Sequence, residues 1–230
     1  MKKIGMALVF ALLLLIPSST VFAGGELTIF KQNMVEYESG EGSWELYFYA
    51  VLENTGDELA KVDKIHVSVF DPAGEVVVDK DASSLSPRTV APGEHAIYTY
   101  YTTVKEVEAI GDYQIEVTSQ NPFATDKAPE PFEVSSEFEI TPVGDKNDIF
   151  AILTVKNNSE TISYNTDFAY AVYDQNGELI FADTYAEHQF GLIPGQEIAI
   201  KRRINNHVIE TWEGKDIVPT TVEAIVYPVS

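Results

Sequence analysis

The chain has no cysteine. That excludes disulfide staples, thiolate metal centres, a cysteine nucleophile and thiol-linked lipid. Histidine is scarce: His66, His95, His188 and His207, none at metal-ligand spacing to another. No G-x-S-x-G occurs, nor an S-x-x-K with its partner motifs, and the glycines stand singly at turns rather than in a phosphate-cradling loop. Positive charge is short as well. Fifteen Lys and Arg face 36 Asp and Glu, for a net charge of −21. Such a surface repels polyanions, so nucleic acid is excluded as a partner. The acids are spread evenly over both halves, which fits a surface kept soluble by like charge. No apolar run reaches the ~20 residues needed to cross a bilayer as a helix.

What is present begins with a targeting pattern. Lys2 and Lys3 precede an apolar run, Ile4 to Ile16, and "VFA" at Val21–Ala23 fits a signal-peptidase site before Gly24. Residues 1–23 are therefore expected to be a cleaved signal peptide, with an uncleaved anchor as the alternative. The mature chain is expected to be secreted or extracytoplasmic, at a bacterial cell surface, and without a membrane span.

The rest is written twice. A shift of 103 positions brings "ENTGD" (Glu53–Asp57) onto "KNNSE" (Lys156–Glu160), and "VFDPAGE" (Val69–Glu75) onto "VYDQNGE" (Val172–Glu178). A shift of 102 brings "APGE" (Ala91–Glu94) onto "IPGQ" (Ile193–Gln196). Three landmarks in the same order mark a tandem duplication. Pro122, Pro129 and Pro131 punctuate the polar stretch between the copies. The expected division is 24–121 for the first unit, 122–131 for a linker and 132–230 for the second.

Each copy reads as strands. Leu46, Phe48, Ala50 and Leu52 alternate with Glu45, Tyr47, Tyr49, Val51 and Glu53. Ile149, Ala151, Leu153 and Val155 alternate with Phe150, Ile152 and Thr154. A period of two argues for strands with distinct faces. "HVSVFDPAGEVVV" and "AYAVYDQNGELIF" each read as a hairpin. Asp71 and Asp174 cap the turns from their side chains, and Gly74 and Gly177 accept positive φ. "VKEVEAIGD" and "HVIETWEGKD" are each compatible with a helical turn but too short to be a stable helix unaided. About seven short strands per copy predict an all-β chain: two small antiparallel sandwiches in tandem.

The second hairpin also carries a resemblance. Tyr170-Ala171-Val172-Tyr173-Asp174 resembles the motif of the FxLYD domain family, aromatic, any residue, aliphatic, aromatic, aspartate. "KNNSE" is similar to the family's upstream Asn-rich turn and "IPGQ" to its downstream Pro-Gly turn. The first copy, Val67-Ser68-Val69-Phe70-Asp71, has valine where the aromatic stands, while its flanks "ENTGD" and "APGE" are closer to the family form. The resemblance covers roughly Phe48–Tyr101 and Phe150–Arg203. It implies immunoglobulin-like or fibronectin-III-like β-sandwiches in exported bacterial proteins, and no shared enzyme activity or ligand.

Candidate sites are sparse. "GDKND" offers Asp145, Asn147 and Asp148 as oxygen donors for calcium, or a plain hairpin turn. Asn157-Asn158-Ser159 is a glycosylation sequon by pattern. The copies differ most after the Pro-Gly turn, where the first has Tyr98, Tyr100 and Tyr101 and the second Lys201, Arg202 and Arg203. These six, with Trp212, are the candidate interaction residues; the alternatives are drift on a solvated strand for the six and a lid over a small core for Trp212. Arg202 falls in phase with Ile198, Ile200 and Ile204, so either its stem covers apolar surface or a bulge shifts the phase. No cofactor and no metal are expected. The expected function is a non-catalytic module meeting another envelope protein or a surface polymer. A secreted enzyme or small-ligand carrier with an inter-domain cleft, and a self-assembling surface subunit, are the alternatives; the many carboxylates leave a glycosidase-like pair open.

Overall fold

The computed structural model describes residues 24–82, 84–144, 146–187 and 191–229. The signal-peptide reading, Asp145 and His188 fall outside the described residues. The N-terminal half contains β1 (Leu27–Gly40), β2 (Ser43–Asn54), β3 (Ala60–Phe70), β4 (Val76–Ala82), β5 (Leu85–Ser86), β6 (Thr89–Val90), β7 (His95–Lys105) and β8 (Tyr113–Gln120). One sheet runs β1-β2-β7-β5; the other has β3 at its centre, paired with β4, β6 and β8. The C-terminal half contains β9 (Glu133–Val143), β10 (Lys146–Lys156), β11 (Thr166–Asp174), β12 (Leu179–Glu187), β13 (Glu197–Arg203), α1 (Asn206–Gly214) and β14 (Pro219–Pro228). Its sheets run β13-β10-β9 and β12-β11-β14. Every strand pairing is antiparallel. Among the described residues the chain is all-β apart from one short helix, α1.

The alternating rows explain the first core. Leu46, Phe48, Ala50 and Leu52 of β2 are fully buried against Ile65, Val67 and Val69 of β3, with Ile115 of β8 behind them. Both Asp-Gly hairpins close identically. Asp71 Oδ1 accepts from the backbone N–H of Ala73 (2.9 Å) and Glu75 (2.8 Å); Asp174 Oδ1 accepts from Asn176 (2.8 Å) and Glu178 (2.8 Å). Gly74 and Gly177 take φ of 84° and 77°, where a side chain is strained.

A second device is common to the halves: a buried asparagine. Asn54 Nδ2 donates to the carbonyls of Glu58 (2.8 Å) and Val90 (2.9 Å); Asn157 Nδ2 donates to those of Thr161 (2.9 Å) and Leu192 (2.7 Å). Their backbone carbonyls accept from Gly93 and Gly195 of the Pro-Gly turns, at 2.8 and 2.7 Å. The amide therefore ties the end of β2 or β10 to the loop that enters β7 or β13. Because Asn157 is fully buried and both its amide hydrogens are committed, its side chain is no glycosylation acceptor in the folded chain.

The N-terminal half keeps an interior of its own, but the second interior is shared between the halves. Tyr49 and Val51, on the outer row of β2, are buried with Val35 and Ile97 in the same apolar cluster as β10, β11 and β12. Tyr49 meets Phe181 at 5.2 Å between centroids, and Thr99 Oγ1 lies 3.2 Å from Thr184 Oγ1. Ser86 Oγ to Tyr227 OH (2.5 Å) and His95 Nδ1 to Glu223 (2.7 Å) continue the seam. The physical reason is compositional: the outer rows of β2 and β7 are too apolar to face water, so β12 covers them. Burying each such side chain is worth roughly 1.5–3 kcal/mol. Four of them approach the total stability of an ordinary domain, about 5–15 kcal/mol, so the halves are held as one body.

Only the second copy of the short polar-apolar stretch is helical. Asn205 caps α1, its Oδ1 accepting from His207 N at 2.9 Å, and Val208, Ile209 and Trp212 are buried beneath it. The equivalent residues of the first copy, around Val107–Ile110, form no helix.

Candidate functional site

A groove of about 760 Å³ opens along the seam. Its platform comes from the outer face of the first sheet. In the β2–β7 register Tyr47 sits opposite Tyr101 and Tyr49 opposite Thr99, which sets the aromatic side chains of both strands on one face. Tyr47 and Tyr101 pack at 5.0 Å and 41°, and Tyr49 and Phe181 at 5.2 Å and 54°, so two ring pairs lie along the groove. The far wall is the end of β13 and the start of α1: Arg203, Asn205, Asn206 and His207. Asn205 Nδ2 reaches Tyr47 OH at 3.3 Å, bridging the two halves across the groove.

Two carboxylates line it. Glu45 accepts from Tyr47 OH at 2.7 Å. Burial, then this carboxylate, pushes the Tyr47 phenol well up, so it stays a protonated donor. Asp183 is held by Arg202 Nη2 at 3.2 Å. Burial raises its carboxyl even so, and the guanidinium works against that rise. Tyr49, 3 % exposed, has a hydroxyl with no hydrogen-bond partner, and burial raises its phenol too.

Of the seven residues predicted as an interaction surface, the structure brings Tyr100, Tyr101 and Arg203 to this groove. Tyr101 is the exposed one of the tyrosines, at 50 %; Tyr100 leans the other way, stacking on Phe48 at 5.8 Å. Tyr98 and Trp212 are not surface residues. Tyr98 is fully buried in the N-terminal core, and Trp212 is 2 % exposed, edge-on to Phe181 at 6.5 Å. Both are large rings on the inward row of their element; for Trp212 this is the alternative of a lid over a core, not the interaction anchor. The basic run is neutralised residue by residue. Lys201 meets Glu139 (2.5 Å), Arg202 meets Asp183, and Arg203 meets Asp148 (2.5 Å). Arg202 also lies over the Tyr185 ring at 4.1 Å, and the β10–β13 register is continuous there. Its guanidinium thus lies on an aromatic face while it pairs with Asp183, and no bulge is present.

The remaining candidates are elsewhere. Asp148, one of the proposed calcium donors, is taken by Arg203. Among the described residues no three His, Asp or Glu converge as a metal site. His66, on the outer face of the central strand β3, lies between Asp79 (2.7 Å) and Asp81 (2.6 Å) of β4. His207 packs against Tyr37 with ring centroids 3.9 Å apart and the planes tilted by 31°. No helix among the described residues is long and apolar enough to cross a membrane. Sequence reasoning missed Tyr47, Tyr49, Asn205 and Asn206. The available signal was the run of aromatic and aliphatic residues on the nominally outer row of β2.

No family model matches this chain, and neither does any curated protein. Among solved structures it is similar to the C-terminal globular domain of an oligosaccharyltransferase from Pyrococcus abyssi, at 15 % identity and a TM-score of 0.20. The alignment covers 89 % of this chain and 48 % of that one, so this chain spans about half its length. A likeness at that score carries no argument about function.

Proposed function

We propose that this protein is a non-catalytic binding module: an exported chain of two FxLYD-like, immunoglobulin-like repeats fused side by side, which takes its ligand in the seam groove. The observation that carries this reading is the double origin of the groove. β2 and β7 supply one wall, β12, β13 and α1 the other, and the halves cannot separate without exposing Tyr49, Val51 and Ile97. A rigid cleft between packed units, with aromatic surface and a few convergent polar groups, has the character of a ligand site. The carboxylates that line it are engaged in holding neighbouring groups, Glu45 with Tyr47 and Asp183 with Arg202, which favours binding over proton transfer. Duplication followed by divergence then has a purpose: one copy keeps tyrosines where the other has arginines and a helix, and the difference builds the two walls.

The test is site-specific crosslinking in the producing cells. A photoreactive phenylalanine analogue replaces Tyr101 in the groove or Lys127 in the exposed linker. An adduct formed at position 101 and absent at 127 supports the reading. No adduct at 101, or the same adduct at both, overturns it.

A further inference from the structure

We infer that the groove binds a neutral saccharide; this rests on the reading above and names its ligand class. Charge decides first. The chain carries −21 overall, and Glu45 and Asp183 line the groove, so an anion meets repulsion that one ion-paired Arg203 and the start of α1 do not offset. A quaternary ammonium ion needs ring faces turned toward a common centre, each within about 6 Å of the cation. Here the rings are already packed on one another, Tyr47 on Tyr101 and Tyr49 on Phe181. They form a platform, not a cage, and leave no space between faces for a cation.

A platform suits a flat ligand with weakly positive hydrogens. The face of an aromatic ring is negative, and the C–H groups on one side of a pyranose ring are weak donors directed at such a face. The hydroxyls at the rim of the sugar both donate and accept. Groups able to meet them in either sense line the groove: the amides of Asn205 and Asn206 and the free guanidinium edge of Arg203 on the far wall, and the second oxygen of Glu45 beside Tyr47 on the platform strand. Planar amide, carboxylate and guanidinium groups engage two neighbouring hydroxyls at once, as they do other paired acceptors or donors. Tyr101, half exposed at the outer end, is the platform's contact face; Tyr47, whose hydroxyl is fixed by Glu45 and Asn205, is its rigid inner neighbour. The groove is open and of a size typical for small-molecule sites, which fits a short stretch of a chain rather than an enclosed monosaccharide.

Saturation-transfer NMR on the purified chain tests this, with maltotriose, cellotriose, mannotriose and chitotriose as probes and choline as the cationic control. The protein's aromatic protons are irradiated. The expected result is transfer to the ring C–H protons of at least one trisaccharide, none to choline, and a loss of tenfold or more in affinity for Tyr101→Ala. Because Tyr101 is exposed, that variant keeps its fold, which its circular dichroism verifies. Asn205→Asp is the second variant: it retains the cap of α1 but removes the amide donor, and is expected to weaken the same trisaccharide at least threefold. No transfer to any of the four sugars, or transfer unchanged in Tyr101→Ala, overturns the inference. Transfer to choline that Tyr101→Ala abolishes overturns the saccharide while sparing the groove as a site. Failure of the crosslinking at position 101 removes the site itself.

Discussion

The asparagines that lock each half offer a direct way to test how the fold is held. Asn157→Ala removes four hydrogen bonds: two donated to the carbonyls of Thr161 and Leu192, and two accepted from the N–H and hydroxyl of Ser159. A hydrogen bond contributes a net ~1 kcal/mol, and a buried group left unpaired costs ~1–3 kcal/mol. The Leu192 carbonyl still accepts from Ser163 N at 3.1 Å, which limits that penalty. The expected loss is about 3–4 kcal/mol. In a chain of this size each kcal/mol moves Tm by roughly 2–4 °C, so a fall of about 6–16 °C is expected. Asn157→Asp should do worse, since it places a carboxylate at a fully buried position facing two carbonyl oxygens. Urea denaturation followed by far-UV circular dichroism measures both. A change below 1 kcal/mol in Asn157→Ala would refute the claim that this amide, rather than the surrounding packing, ties β10 to the Pro-Gly turn.

Three further outcomes follow. Tyr49→Phe deletes a buried hydroxyl that has no partner and should stabilise the chain by about 1 kcal/mol, read by the urea midpoint; a loss of that size would mean the hydroxyl is bonded. His95 is raised above 6.5, first by its hydrogen bond to Glu223, so its contribution is complete below that value and fades as pH rises through the folded pKa. Glu223 is lowered below 4.5, first by the bond from His95, so its share holds above that value and fades on acidification. Stability of wild type relative to His95→Gln should accordingly be greatest between about pH 4.5 and 6.5 and shrink above it, measured by urea unfolding across pH. Asp174→Ala should cost about 1–2 kcal/mol by freeing the N–H groups of Asn176 and Glu178, read as a lower Tm; an unchanged Tm would show the turn closes without its side chain.

Much of the strand order was legible because period-two rows and turn residues are local signals. Leu46 to Leu52, Ile149 to Val155 and the Asp-to-Gly hairpins needed only neighbours in sequence. The asparagines Asn54 and Asn157 stood in plain view within the repeated turns, yet their role depends on carbonyls 35 and 36 positions away, which spacing does not disclose. The helix appeared in one copy alone because Asn205 caps it and Val208, Ile209 and Trp212 share a buried face; the first copy lacks that combination. The groove was least legible of all. Its walls come from stretches more than a hundred residues apart, and the sequence separates Tyr47 from Asn205 without indicating that β12 lies across β2. Tyr98 and Tyr101 look alike in sequence; only the pairing of β7 puts one inside and the other at the groove.

The central claim is that the seam makes one body of both halves, and the two tryptophans lie conveniently one in each. Trp44 is in β2, donating to the Val107 carbonyl at 3.0 Å, and Trp212 is in α1. Urea unfolding of residues 24–230 carrying Trp44→Phe or Trp212→Phe, followed by fluorescence of the tryptophan that remains, reports each half separately once each variant's own change in stability is matched by circular dichroism. The seam requires each fluorescence transition to coincide with the circular-dichroism transition of the same variant. A fluorescence midpoint displaced from it, with one half unfolding while the other stays folded, would contradict the shared core.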